Sequence, residues 1–331
     1  MIYNTFGIPA TADRYITVSA KDELLDLLQH DTLLHTKPFF VLGGGSNIIF
    51  ARHYPGTILH LENKGIHLVQ ELPQSQEVLV EASAGENWDS FVQHCIANGW
   101  HGTENLAAIP GTVGASPVQN VGAYGVEAKD IIHSVHTFEV STGNERTFSR
   151  DECRFGYRDS IFKKELKGQY IVWSVTFRLS RTFTPDLRYK AIADAIASSG
   201  IETPTPQQLA DTIASVRWAK LPRPEETGSA GSFFKNPVVD ATQYERLKAE
   251  YPDIVAYPAA DGYKLAAGWL IEHTGWKGRS LGRCGVYSKQ ALVLVNLGGC
   301  TGQEVINLAD AVTADVYKKF GITLEKEAII L

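Results

Sequence analysis

The densest run of chemistry-bearing residues is Ile109-Pro110-Gly111-Thr112-Val113-Gly114-Ala115-Ser116-Pro117-Val118-Gln119-Asn120-Val121-Gly122-Ala123-Tyr124-Gly125. Small residues at this density let the backbone wrap closely around a large flat ligand, and Gln119 and Asn120 bring amide donors and acceptors to it. A structural glycine-rich loop is the plainer reading. An earlier run, Gly43-Gly44-Gly45-Ser46-Asn47, lies between the apolar stretches Phe-Phe-Val-Leu and Ile-Ile-Phe. No GxGxxG hexad opens a helix there, so a Rossmann dinucleotide site is not indicated. Successive glycines with Ser and Asn can instead present a nest of backbone N–H groups to phosphate oxygens. A tight hairpin is the alternative.

Two further clusters follow. Arg154-Phe155-Gly156-Tyr157-Arg158-Asp159-Ser160 comes directly after Asp151-Glu152 and reads by itself as a solvated, salt-bridged turn. In Gly228-Ser229-Ala230-Gly231-Ser232-Phe233-Phe234-Lys235-Asn236-Pro237 a serine stands between glycine and two aromatics. There is no GxSxG elbow, so serine hydrolysis is not indicated. Cys95, Cys153, Cys284 and Cys300 form no CxxC and no metal-ligand spacing, so neither a disulfide framework nor a metal site is expected.

The elements that must position these clusters alternate in type. A helix capped at Ser19 leads to a strand at Phe39–Leu42, in a small βαβ-like opening. TILHLEN, IHLVQEL and EVLVEAS between about residues 57 and 84 read as successive strands. A helix from Trp88 to Asn98 closes at Gly99, and the stretch from Gly102 to Gly125 lacks regular periodicity. Strands resume at IIHSVHTFEV and YIVWSVTFRL. Thr205, Pro206 and Gln208 form a capping box opening a helix through Val216, with Arg217 and Lys220 sharing a face at its end. A new unit begins after KLPRPEETGSAG. It holds a helix from Leu265 to His273, opened by Lys264, then the strand ALVLVN and a long helix from the Thr301/Glu304 capping box to Gly321. The closing ITLEKEAIIL alternates like a strand.

The chain has 331 residues, enough for two or three compact units. With 44% hydrophobic and 21% charged residues it is an ordinary globular composition, not a disordered or coiled-coil one. A formal net charge of -6 disfavours a nucleic-acid or membrane-surface binder, so an anionic ligand must be met by local cations. MIYNTFGIPA lacks the basic region followed by an apolar run that a signal peptide shows, and no uncharged apolar run nears the ~18 residues of a membrane span. A cytoplasmic protein is expected.

Taken together and in order, LGGGSN, IPGTVGASPVQNVGAYG, GYRDSIFK, KLPRP, GSAGSFFKNP, LAAGWLIEHTGWKG, QALVLVN and FGITLEKE resemble the UDP-N-acetylenolpyruvoylglucosamine reductase family over nearly the whole chain. LGGGSN alone also fits other flavoproteins of the vanillyl-alcohol-oxidase type. The resemblance implies an α+β FAD-binding fold of that type in three parts: residues 1–67 with 318–331, residues 68–219, and a substrate domain at 220–317. The first two parts would hold FAD through Gly43, Gly44, Gly45, Ser46 and Asn47, and through the loop residues Ile109, Pro110, Gly111, Gly114, Ala115, Ser116, Pro117, Gln119, Asn120, Gly122, Ala123, Tyr124 and Gly125. It further implies a longer family type in which Tyr189 covers a sugar nucleotide, whose uridine diphosphate meets Lys220, Lys264, Asn236 and Gln290, with Arg217 also among the substrate-binding residues.

The implied reaction is the reduction of an enolpyruvyl ether by hydride from NADPH through FAD, both using one flavin face in turn. Hydride at the terminal carbon leaves charge beside a carboxylate. An arginine fork and a carboxylic acid suit that charge, and a proton donor must reach the adjacent carbon. The resemblance gives these roles to Arg158, Glu327 and Ser232. After Glu327 the family usually continues Val-Arg, whereas here Ala328-Ile329-Ile330-Leu331 follows, and Glu325 is a competing glutamate on the same strand face. Two other readings are a flavin oxidase of an alcohol or sugar, and a non-redox nucleotide-sugar binder. Partners are expected to be small molecules only, with no metal and a monomeric chain.

Overall fold

The computed structural model describes residues 2–331, and two compact units account for its contacts. One comprises Ala12–Gly44 and Pro55–Ala219. The other comprises the N-terminal stretch ending at Thr11, Gly45–Tyr54 and Lys220–Leu331. Residues 1–67, expected as a single part, are thus shared between the two.

In the first unit, a five-stranded antiparallel sheet runs in the order Glu145–Ser149, Ile132–Glu139, Tyr170–Ser180, Glu77–Ser83, Ile66–Leu72. Its middle strand, YIVWSVTFRLS, buries Ile171, Val172, Val175 and Phe177 and pairs on both sides. The helix Trp88–Ala97 is N-capped by Asn87, whose side chain accepts from Ser90 N–H. That helix buries Trp88 and Phe91 against Phe177, with ring centroids 5.9 and 4.6 Å apart. A smaller sheet joins Ala12–Val18, Tyr54–Leu61 and Phe39–Leu42, the last two in parallel. The helix Lys21–His30 begins one residue later than its Ser19 cap implied. Glu23 supplies the cap instead, its carboxylate accepting the N–H groups of Ser19 and Ala20 at 2.9 and 3.1 Å.

In the second unit, Ser229–Ser232, Val293–Asn296, Cys284–Val286 and Ser280–Leu281 form a four-stranded sheet, and Val238–Val239, Gly262–Leu265 and Ala256–Ala259 a three-stranded one. The helix Gly302–Phe320 lays Val305, Leu308, Val312 and Val316 into a core shared with Phe233 and Phe234. Its capping box at Thr301 and Glu304 and its left-handed Gly321 terminus are both present.

Three expectations change. ITLEKEAIIL is not one strand: only Ile329–Ile330 pairs, in parallel with Ile48–Ile49, with an isolated bridge at Phe234 and Lys326. Lys264 lies in the strand Gly262–Leu265, and the helix opens at Ala267 because Leu265 N–H is still donating to Pro237. The Gly102–Gly125 stretch winds into short helical turns at Glu104–Leu106, Val113–Ala115 and Ser116–Gln119. No helix of the described residues is long and apolar enough to cross a membrane.

Candidate active site

The strands flanking Gly43–Asn47 do not pair with each other, so this run is not a tight hairpin. Phe39–Leu42 pairs with Thr57–His60, and Ile48–Ile49 with Ile329–Ile330. Within the first unit, the backbone at 111–114 is pinned along 84–88: Trp88 N–H donates to Gly111, Val113 N–H to Glu86 and Gly114 N–H to Ala84, at 3.1, 2.9 and 2.9 Å. A Cβ on Gly43 would stand 2.5 Å from Thr112 Oγ1, and one on Gly44 3.0 Å from Gly111 Cα. Only side-chain-free backbone lets the two loops meet this closely.

The long loop is also strained. Ala108, Asn120 and Tyr124 hold φ of 58°, 46° and 50°, which costs on the order of 1–3 kcal/mol each and must be overdetermined by neighbours. Ala108 N–H is fixed by Asp89 Oδ1 at 2.6 Å. Asn120 differs from expectation. Its amide is fully buried and engaged within the protein, donating to Glu127 and the Gly156 carbonyl at 3.0 and 2.8 Å and accepting Lys129 N–H at 3.0 Å. Its side chain therefore shapes the loop and presents no amide to a ligand. Ser116 likewise spends its hydroxyl on the Val113 carbonyl at 2.7 Å.

Arg158 belongs to the same network. Its backbone is left-handed, with φ 53°, and its guanidinium donates to the Gly122 and Asn120 carbonyls at 2.6 and 3.3 Å. Ser160 Oγ donates to the Val118 carbonyl at 2.7 Å and Lys163 Nζ to the Arg158 carbonyl at 3.1 Å. The Arg-Asp-Ser block is thus laced to the 118–122 turn, so the half-buried fork is held in place before any ligand arrives. Arg217, in the helix Pro206–Lys220, carries a buried Nε with no hydrogen-bond partner, and burial lowers its pKa. An orphaned buried donor in this setting suits an anionic ligand. Tyr124 meets Tyr189 edge to face, with centroids 5.3 Å apart. Tyr189 sits at the N-cap of the helix Lys190–Ser198 and is 42% exposed.

The second unit holds the remaining residues. Ser232 is the exposed last residue of its strand, paired with Val293. Phe233 and Phe234 behind it are buried and pack edge to face, with centroids 5.2 Å apart. Glu327 N–H donates to the Phe233 carbonyl at 2.8 Å, and Asn47 Nδ2 donates to the Glu327 carbonyl at 3.3 Å. The main chain thereby brings Glu327 beside Ser232. Glu325, its rival, is 70% exposed and engages Lys235 in an ion pair. Asn236 Oδ1 accepts Ala267 N–H at 2.9 Å, tying the start of the helix Ala267–His273. Gln290 Oε1 accepts Leu292 N–H at 3.3 Å. Lys220 is exposed at the last position of its helix. Sequence reasoning missed Asp89, which braces the loop at Ala108 from 19 residues away; no local pattern marks it.

Comparison with known proteins decides the family. A model of the C-terminal domain of UDP-N-acetylenolpyruvoylglucosamine reductase matches residues 223–331, and an FAD binding domain model matches residues 12–149. A UDP-N-acetylenolpyruvoylglucosamine reductase of Burkholderia cenocepacia (strain HI2424) is 47% identical over 332 residues, spanning 99% of this chain and 94% of its own. The chain belongs to the UDP-N-acetylenolpyruvoylglucosamine reductase family. A second such reductase, from Azoarcus sp. (strain BH72), is 46% identical over 331 residues, 99% of this chain and 95% of its own. The solved reductase of Thermus caldophilus shares the fold, with a TM-score of 0.66 at 24% identity over 99% of this chain and 95% of that one. Within the reductase family frame, the FAD binding model spans both glycine-rich runs and the C-terminal model spans Ser232 and Glu327. The α+β class expected from sequence is the class observed.

Proposed function

We infer that the protein is an FAD-containing oxidoreductase that reduces UDP-N-acetylglucosamine enolpyruvate to UDP-N-acetylmuramate with NADPH, a step of peptidoglycan precursor synthesis. The observation that carries this is identity of 47% to a curated reductase over 99% of the chain. The fit to FAD rests on the two glycine-rich loops, which approach so closely at Gly43 and Gly44 that a Cβ would crowd Thr112 and Gly111. Gly43–Asn47 and the backbone of 109–125 would hold the cofactor, in a fold of the vanillyl-alcohol-oxidase type. When bound, FAD supplies a two-electron carrier between NADPH and the enolpyruvyl group.

In this reading Arg158 meets the substrate carboxylate as negative charge builds there, and its anchorage to Gly122 and Asn120 removes the reorganisation that a free side chain would need. Glu327 shares a proton with the same charge, and the Ser232 hydroxyl hands a proton to the neighbouring carbon. Arg217, Lys220, Lys264, Asn236 and Gln290 hold the nucleotide diphosphate, and Tyr189 covers it. Residues 220–317 act as the substrate part, and residues 1–67 with 318–331 and 68–219 as the cofactor parts, a functional division that does not follow the two compact units. The enzyme acts in the cytoplasm as a monomer on small molecules. Purified protein mixed with NADPH and the enolpyruvyl substrate should consume NADPH in proportion to substrate. Oxygen-dependent turnover indifferent to that substrate would instead identify a flavin oxidase, and protein that cannot be reconstituted with FAD would overturn both.

A further inference from the structure

Cys284 and Cys300 are both fully buried and lie with their Sγ atoms 2.7 Å apart, far closer than two unbonded sulfurs normally sit. Local structure accounts for the meeting. Cys284 starts the strand Cys284–Val286 and pairs with Asn296. The Asn296 side chain then curls the chain back, its Oδ1 accepting the N–H groups of Gly298 and Cys300 at 2.9 and 3.1 Å. Left-handed Gly298 and Gly299 complete the turn, which delivers Cys300 onto Cys284 immediately before the N-cap Thr301. The remaining travel to a disulfide of ~2.05 Å is well under an ångström.

We propose that Cys284 and Cys300 are an oxidisable dithiol that closes to a disulfide under peroxide, a modification site outside the reductase machinery and independent of the function inferred above. The chemistry balances. The Cys284 thiolate attacks a peroxide oxygen, the O–O bond breaks, and hydroxide leaves as water once it takes the thiol's proton. Cys300 sulfur then attacks the resulting sulfenic acid and expels a second water, so two thiols are oxidised and one peroxide becomes two waters. Hydrogen bonding from Cys300 lowers the pKa of Cys284 while that of Cys300 is raised, which makes Cys284 the attacking sulfur. Access comes through the exposed Leu297-Gly298-Gly299 turn, so a small oxidant is favoured over a bulky disulfide. Cys95 and Cys153 are buried in the other unit, where desolvation pushes both thiols up and that of Cys153 to about 12. They act as internal controls.

The test treats the full chain with hydrogen peroxide, alkylates it in denaturant and digests it with trypsin. The expected result is loss of two hydrogens from the intact mass and a linked pair of peptides, residues 284–289 with 290–318, that separates on reduction. The oxidised protein should melt several degrees higher, reversibly with dithiothreitol, because a closed loop of about 15 residues restrains the unfolded chain. Cys300→Ser should abolish both the link and the shift while leaving reductase turnover unchanged. Full alkylation of both cysteines after oxidation would overturn the proposal. So would sulfinic acid at Cys284 without a link, or a link involving Cys95 or Cys153. The wild-type peptide map decides the matter even where a variant fails to fold.

Discussion

Ser232, Arg158 and Glu327 share little in their surroundings, and the differences set what each substitution should do. Ser232 is exposed at a strand end, so Ser232→Ala should fold normally and still allow NADPH to bleach the flavin. Reoxidation by substrate should slow roughly 10²–10⁴-fold, the range of a lost general acid; stopped-flow half-reactions measure both, and equal slowing would remove Ser232 as donor. Glu327→Gln should impair the same half-reaction, whereas Glu325→Gln, which loses only an exposed ion pair with Lys235, should leave turnover within about twofold. These three roles come from the resemblance of the motifs around them; by themselves the Arg158 block reads as a solvated turn and Ser232 as a serine beside two aromatics. Asn120 shows where such reasoning stops: an amide in a glycine-rich loop reads as a ligand contact, but whether its donors point outward or to Glu127 and Gly156 depends on chain far from the motif.

Helix ends were the most legible elements because their signals are local. Thr205 with Gln208 and Thr301 with Glu304 make reciprocal caps as their spacing implies. Thr301→Ala should lower stability by about 1 kcal/mol, read as a shift in denaturant midpoint at unchanged slope. Gly302, next in line, would place a Cβ 2.0 Å from the Phe50 carbonyl oxygen, so Gly302→Ala should cost about 1–3 kcal/mol by displacing the helix start. Arg283 and the Thr301 donors hold the Glu304 carboxyl down at about 2. A folded-state pKa below the unfolded value of 4.5 means the contribution is complete above ~4.5 and fades as pH falls toward 2. Urea midpoints of Glu304→Gln should therefore be lower than wild type at pH 7 and converge with it near pH 2. The short strands were illegible for the opposite reason: Ile48–Ile49 is a strand only because Ile329–Ile330 lies beside it.

For the whole molecule, bound cofactor should report on folding as well as catalysis. Holo-protein should be yellow, and FAD at ~100 times its dissociation constant should stabilise the native state by about 2.7 kcal/mol, visible as a higher melting temperature than the stripped protein. The class of fold and the presence of a cofactor unit came from the resemblance that the ordered motifs carry, since the glycine clusters alone read equally as structural turns. The partition of the chain was not readable, because it depends on which remote segments pair: one unit takes Gly45–Tyr54 from early in the chain and Lys220–Leu331 from late. That discontinuity bears on synthesis at the ribosome. Ile48–Ile49 emerges about 280 residues before the strand that completes its ladder, which at cellular elongation rates is a wait of roughly 15–55 seconds. Through that interval Ile48, Ile49 and Phe50, all buried in the native state, have no native partner strand. This apolar triplet is therefore where a nascent-chain chaperone would be expected to dwell, and crosslinks from it should vanish once Ile329–Ile330 has emerged and paired.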